Sequence, residues 1–219
     1  PDRQMMLFAQ DVLSRVPGSN NVVLGGEARG STQAPVSVNV EDPPLFAGTV
    51  LMETLAGQGV SVTGTVSRDR TIRQQLAGKD AGGWTVFAAH ETPLSVALGR
   101  ANKDSMNLYA ECLCKRLGHE VTKQPGSWEN GTAAVKAFVA SCGVGPDEVH
   151  LDDGCGLSKK NAISANAVIR VLAHDFAGPN RKAFVSSLAV GGEDGTLEKR
   201  FRDDLKGRVF AKSGFVSGV

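Results

Sequence analysis

Ser105-Met106-Asn107 leads into the run NLYAECLCKRLG, which Asn107 opens, and sets a hydroxyl and an amide two residues apart. On a helix, side chains at i and i+2 diverge, whereas in an extended or loop segment they share a side. In a loop leading into a helix, the pair therefore aims both groups at one spot. The structural alternative is helix capping, for which Asp104, Ser105 and Asn107 all qualify. A second stretch, Lys212-Ser213-Gly214, lies in the strand-like run RVFAKSGFV. A buried lysine is costly unless it is paired or faces a cavity. On a strand bordering a cleft, its ammonium can hold a carboxylate and Ser213 can hydrogen-bond the same group. Gly214 has no side chain, so a ligand backbone can approach the strand edge. The plain alternative is an edge-strand lysine that discourages aggregation.

Periodicity and caps outline the elements that must position these groups. EDPPLFAGTVLMETLAGQG predicts a helix with Asp42 as cap, prolines in its first turn and a stop at Gly57 or Gly59. MMLFAQDVLSRV has helical spacing, and NNVVLGG, APVSVNV, VSVTGTV and WTVFAAHE read as strands. NLYAECLCKRLG predicts a helix with Tyr109, Leu113 and Leu117 on one face and Gly118 as its stop. WENGTAAVKAFVASCG predicts another helix, and EVHLDDG a short strand running into a glycine-rich turn. ISANAVIRVLAHDF predicts a helix capped by Ser164, RKAFVSSLA a short helix, and GRVFAKSGFV the last strand. Long helices between antiparallel-looking strands indicate an α+β fold.

Composition narrows the function. Of the 219 residues, 41% are hydrophobic and 21% charged, and the net charge of +1 argues against nucleic acid or an anionic membrane as the main partner. No apolar run approaches the ~20 residues that span a bilayer. Cys112, Cys114, Cys142 and Cys155 lack C-x-x-C spacing, which disfavours zinc or thioredoxin-like chemistry. They read as small buried hydrophobes, with Cys112 and Cys114 on different faces if one helix carries both. His90, His119, His150 and His174 have no obvious ligand partners and read as surface or satisfied core histidines.

Taken together, Ser-x-Asn followed 105 residues after Asn107 by Lys-Ser-Gly resembles the second and third signatures of the penicillin-recognising serine enzymes. The spacing resembles the D-Ala-D-Ala carboxypeptidases of the penicillin-binding protein 4 type, the peptidase S13 family. Four flanking stretches are similar as well: EDPPLFAGTVLMETLAGQGV, HETPLSVALGRANKDSMNLYAECLCKRLG, DDGCGLSKKNAISA and LAVGGEDGTLEKRF. The resemblance covers residues 41 to 219. It implies a β-lactamase/transpeptidase-like α+β fold of helices on an antiparallel sheet, with residues 41–219 as a partial catalytic domain. Residues 1–40 would be the remnant of an inserted accessory domain, and the chain would be incomplete at both ends.

The family's nucleophile motif, Ser-x-x-Lys, is absent, because no serine here has a lysine three places on. Cys112-x-x-Lys115 and Thr196-x-x-Lys199 have the spacing but not the early position that the family requires. The implied activity is serine-type carboxypeptidase or endopeptidase action on peptidoglycan peptides ending in D-Ala-D-Ala, through an acyl-enzyme and without a cofactor. β-Lactam antibiotics would bind the same site. Ser105 would relay a proton to the leaving amine, Asn107 would hold the substrate amide, and Lys212 and Ser213 would bind the terminal carboxylate. Gly214 would admit the ligand backbone, and the Phe215 N–H would serve the oxyanion hole.

The implied location is periplasmic or otherwise extracytoplasmic, and this chain alone would be inactive. Three departures from the family pattern stand out: Lys-Ser-Gly for the commoner Lys-Thr-Gly, Phe215 for a small or hydroxyl residue, and Cys155 for a serine. Two other readings are a non-catalytic peptidoglycan-binding module on the same fold and a serine β-lactamase. The Gly-Thr-Leu turn and the Asp-Gly-x-Gly-Leu-Ser stretch speak against the latter.

Overall fold

The computed structural model describes residues 13–25, 38–69, 71–72 and 89–215. The chain divides into two compact units, Pro1–Phe87 and Ala88–Val219.

In the first unit, β1 (Leu13–Arg15) pairs antiparallel with β2 (Val22–Leu24), Ser14 opposite Val23. Helical spacing in MMLFAQDVLSRV thus gives way to a strand at its C-terminal end, where pairing with Val22–Leu24 overrides periodicity; residues 5–12 lie outside the described residues. The helix α1 (Pro43–Gly57) begins as its sequence requires. The Asp42 side chain accepts from Leu45 N–H at 3.3 Å, and prolines fill the first two positions, where no intrahelical N–H is needed. The expected strand VSVTGTV is irregular instead, and the described part of APVSVNV, residues 38–40, is not a strand either. Neither segment has a partner strand among the described residues, and alternation without a partner does not make a ladder. WTVFAAHE falls largely outside the described residues.

The second unit carries helices α2 (Leu94–Asn102), α3 (Asn107–Thr122), α4 (Trp128–Ser141), α5 (Ala165–Ala177) and α6 (Arg181–Ser187). Two short antiparallel pairs join them: β3 (Val149–His150) with β4 (Ala162–Ile163), and β5 (Ala189–Val190) with β6 (Phe210–Ala211). Val139, Val144 and Ala167 are buried together, with Val135, Cys142, Val149 and Val171 packed on them, so the core seam runs between α4, α5 and β3.

Local chemistry sets the helix ends. Ser127 and Asn130 form a reciprocal capping box on α4, Ser127 N–H donating to Asn130 Oδ1 at 2.8 Å. The Ser164 hydroxyl accepts from Ala167 N–H at 2.9 Å and donates to Glu148 at 2.7 Å, which ties the start of α5 to the turn before β3.

Gly118 does not stop α3. It lies buried inside the helix, which runs on to Thr122 and ends at Lys123 in the left-handed conformation. A Cβ on Gly118 would fall 2.6 Å from Gly131 N, and one on Gly131 would fall 2.5 Å from Cys114 O. These glycines let α3 and α4 touch backbone to backbone. The last strand is also shorter than its sequence suggests. Its partner β5 is confined between the end of α6 and the turn at Gly191-Gly192, so the ladder holds two residues and Lys212 lies just beyond it.

Candidate active site

Ser105 adopts a left-handed backbone, φ 56°, between α2 and α3. The N-cap of α3 is Met106, with no side-chain capping hydrogen bond, and Asp104 pairs with Arg100 at 2.7 Å. Capping therefore does not occupy the Ser105 hydroxyl. It accepts instead from Lys212 Nζ at 2.8 Å. The two stretches singled out from the sequence thus meet across 107 positions of chain. The Lys212 ammonium also contacts the carbonyl of its neighbour Ser213. Partial desolvation holds the Lys212 pKa below the ordinary lysine value, although the side chain remains largely exposed.

Ser213 Oγ donates to Thr196 Oγ1 at 2.8 Å, and a Cβ on Gly214 would meet nothing within 4 Å, so the chain there is open to an approaching backbone. Asn107 is the first residue of α3 and is exposed; among the described residues its side chain makes no hydrogen bond. Phe215 is 90% exposed. Ser105, Lys212 and Ser213 are thus linked by hydrogen bonds or chain adjacency, while among the described residues no side-chain hydrogen bond joins Asn107 to them, and Phe215 follows Ser213 by two residues.

Contacts that sequence reading did not single out position the Ser105 loop. Lys103 forms an ion pair with Asp194, and Lys103 O accepts from Thr196 N–H at 2.9 Å. Gly195, φ 56°, sits where a Cβ would come 2.6 Å from Lys103 O, so only glycine fits there. Asn102 donates to the buried Ser187 hydroxyl at 2.8 Å. No local pattern connects Lys103 with Asp194. The one available signal was the Gly-Thr-Leu turn, which marks a tight bend without naming its partner.

Beside α3 lies the turn 152–161. Asp153 accepts from Gly156 N–H and Ser158 N–H, each at 2.6 Å, and from Asn161 at 2.8 Å, and so braces the turn. Burial pushes the Asp153 pKa up, but these hydrogen bonds together outweigh it and hold the group below the usual aspartate range. Glu111 of α3 accepts from Trp128 at 2.6 Å and from Gly154 and Cys155 N–H at 3.2 Å. Burial raises its pKa as well, and the hydrogen bonds again win and lower it.

Cys155 is pushed up to about 11, first by burial and then by its bond to Glu111, so its thiol stays protonated at neutral pH. Ligand atoms of Glu111, Asp153 and Cys155 lie within 4.8 Å of one another, but the backbone and side-chain N–H groups already engage the carboxylates. The four cysteines are free, and only Cys114 is fully buried, with Cys112 exposed on the opposite side of α3. The expectation of uniformly buried cysteines thus holds for Cys114 and fails for Cys112. His174 packs edge-on against Phe138, and His119 bonds Gln124 O at 2.7 Å, as satisfied structural histidines do.

Residues 8–219 match the sequence profile described as the D-Ala-D-Ala carboxypeptidase 3 (S13) family. The chain belongs to this family. It is 34% identical over 220 residues to D-alanyl-D-alanine carboxypeptidase of Actinomadura sp. (strain R39), across 95% of this chain and 39% of that protein. It is 26% identical over 188 residues to D-alanyl-D-alanine carboxypeptidase DacB of Haemophilus influenzae, across 84% of this chain and 37% of that protein. The chain therefore spans about two fifths of the length of these S13 relatives.

The S13 fold is evident in the structure too. Penicillin binding protein 4 (dacB) from Haemophilus influenzae, solved in complex with a β-lactam, superposes with a TM-score of 0.65 at 24% identity, over 83% of this chain and 41% of that one. The architecture is the expected α+β, transpeptidase-like arrangement of helices and small antiparallel sheets. Among the described residues no helix is long and apolar enough to cross a membrane.

Proposed function

We propose that this chain supplies the recognition and proton-handling half of a serine-type D-Ala-D-Ala carboxypeptidase or endopeptidase site. Lys212 Nζ at 2.8 Å from the Ser105 hydroxyl carries this reading. Ser213 and Lys212 bind the terminal carboxylate of a peptidoglycan peptide, or that of a β-lactam, and Asn107 holds the substrate amide. The ammonium beside Ser105 stabilises electron density on its oxygen, so the hydroxyl can pass a proton to the departing amine. The Phe215 N–H serves as one oxyanion donor. Residues 41–219 form the catalytic part and residues 1–40 belong to an accessory one, and the protein works outside the cytoplasmic membrane, where peptidoglycan lies. The sequence contains no Ser-x-x-Lys, so acyl transfer by this chain alone is not expected.

The test is labelling with a fluorescent penicillin, using the protein encoded by the complete reading frame that contains this sequence. A covalent adduct is expected, with Ser105→Ala slowing its formation by roughly 10²-fold. The absence of any adduct in the wild type refutes the enzyme reading. The missing Ser-x-x-Lys then favours a carboxylate-binding module that keeps Lys212.

A further inference from the structure

The turn at Gly195–Leu197 touches both halves of the candidate site. Asp194 receives the Lys103 ammonium on one carboxylate oxygen and Val190 N–H on the other at 2.8 Å. Leu197 is 2% exposed and anchors the turn in the interior. Thr196 N–H is held by Lys103 O at 2.9 Å, two residues before Ser105. Across the site, the Thr196 hydroxyl accepts from Ser213 at 2.8 Å. The Thr196 backbone is thus pinned to the Ser105 loop while its hydroxyl, free to rotate, meets the Lys212-Ser213 segment.

We propose that Thr196 is a positioning residue for the substrate's carboxylate and acts through the Ser213 hydroxyl. The inference rests on the carboxypeptidase reading above. A hydroxyl has one proton and two lone pairs, and an ionised carboxylate only accepts. While the Ser213 proton points at Thr196, Ser213 turns nothing but lone pairs toward an arriving anion. Rotation of the Thr196 O–H reverses the bond at the same 2.8 Å separation, with no backbone movement. Ser213 then accepts from Thr196 and donates to the carboxylate. In the resulting chain all donors point one way, and each link polarises the next. No covalent bond forms or breaks. A terminal amide has donors of its own and is served by either orientation, so only the carboxylate depends on the reversal that Thr196 provides.

The test uses the protein from the complete reading frame and measures inhibition of fluorescent-penicillin labelling by a peptide ending in D-Ala-D-Ala. The same peptide with an amidated C-terminus is measured in parallel. Thr196→Val should weaken the acid peptide by roughly two- to tenfold, the effect of one lost neutral hydrogen bond, and leave the amide unchanged. Thr196→Ser should restore the acid peptide to the wild-type value. Unchanged acid affinity in Thr196→Val, equal losses for acid and amide, or failure of the serine variant to rescue each overturn the inference. If the wild type takes no label, the proposed function falls and this inference with it. If the wild type labels normally and Thr196→Val matches it throughout, this inference alone falls.

Discussion

Gly131→Ala probes the contact that sets the slope of α3, the helix that starts two residues after Ser105. The added methyl would lie 2.5 Å from Cys114 O and 2.8 Å from Cys114 C, both backbone atoms of the neighbouring helix. Ordinary carbon contacts fall near ~3.5–4.0 Å, so α3 and α4 would have to part by about 1 Å. Overpacking of this kind costs roughly 1–3 kcal/mol, and the better helix propensity of alanine returns up to ~1 kcal/mol. A net loss of about 1–2 kcal/mol is expected, or roughly 3–6 °C in melting temperature. Gly99→Ala is the control: it lies within α2, and a Cβ there would meet nothing within 4 Å. It should stabilise by up to about 1 kcal/mol. Thermal and urea unfolding of both variants measure the difference. A Gly131→Ala protein as stable as wild type would refute the close backbone approach, and with it the account of how α3 is aimed.

Two further outcomes follow from the charges. On the function proposed here, carboxylate binding requires protonated Lys212, whose pKa lies below the ordinary lysine value because of desolvation; affinity for the acid peptide should therefore fade on the alkaline side, at lower pH than an ordinary lysine would allow. Lys212→Arg, which stays charged throughout, should remove that alkaline loss in a pH series of inhibition constants. Asp153 has a lowered native pKa, so it contributes stability that is fully present above the usual aspartate pKa of 3.8 and is lost as pH falls through the native value. In acid unfolding curves, Asp153→Asn should flatten that part of the profile and cost roughly 1–3 kcal/mol at neutral pH, because the backbone N–H groups of the turn lose their charged acceptor.

Much of the candidate site was legible because short motifs mark it out. Ser105, Lys212 and Ser213 declared themselves by type and spacing, and the structure brings the first two to 2.8 Å. Caps were legible for the same reason: Asp42 and Ser164 act through the N–H groups three residues on. Features decided by distant partners were not legible. Gly118 reads as a stop until Gly131 is known to pack against it. GRVFAKSGFV reads as a long strand until its partner proves to hold only Ala189–Val190. Lys103 and Asp194 are 91 positions apart, and nothing local to either names the other.

The left-handed backbone at Ser105 has an evolutionary consequence. A serine in that region gives up about 1–2 kcal/mol that a glycine would keep. Changes that favour a sturdier fold at this position therefore run toward glycine and away from the hydroxyl, so stability and the role proposed for Ser105 pull in opposite directions.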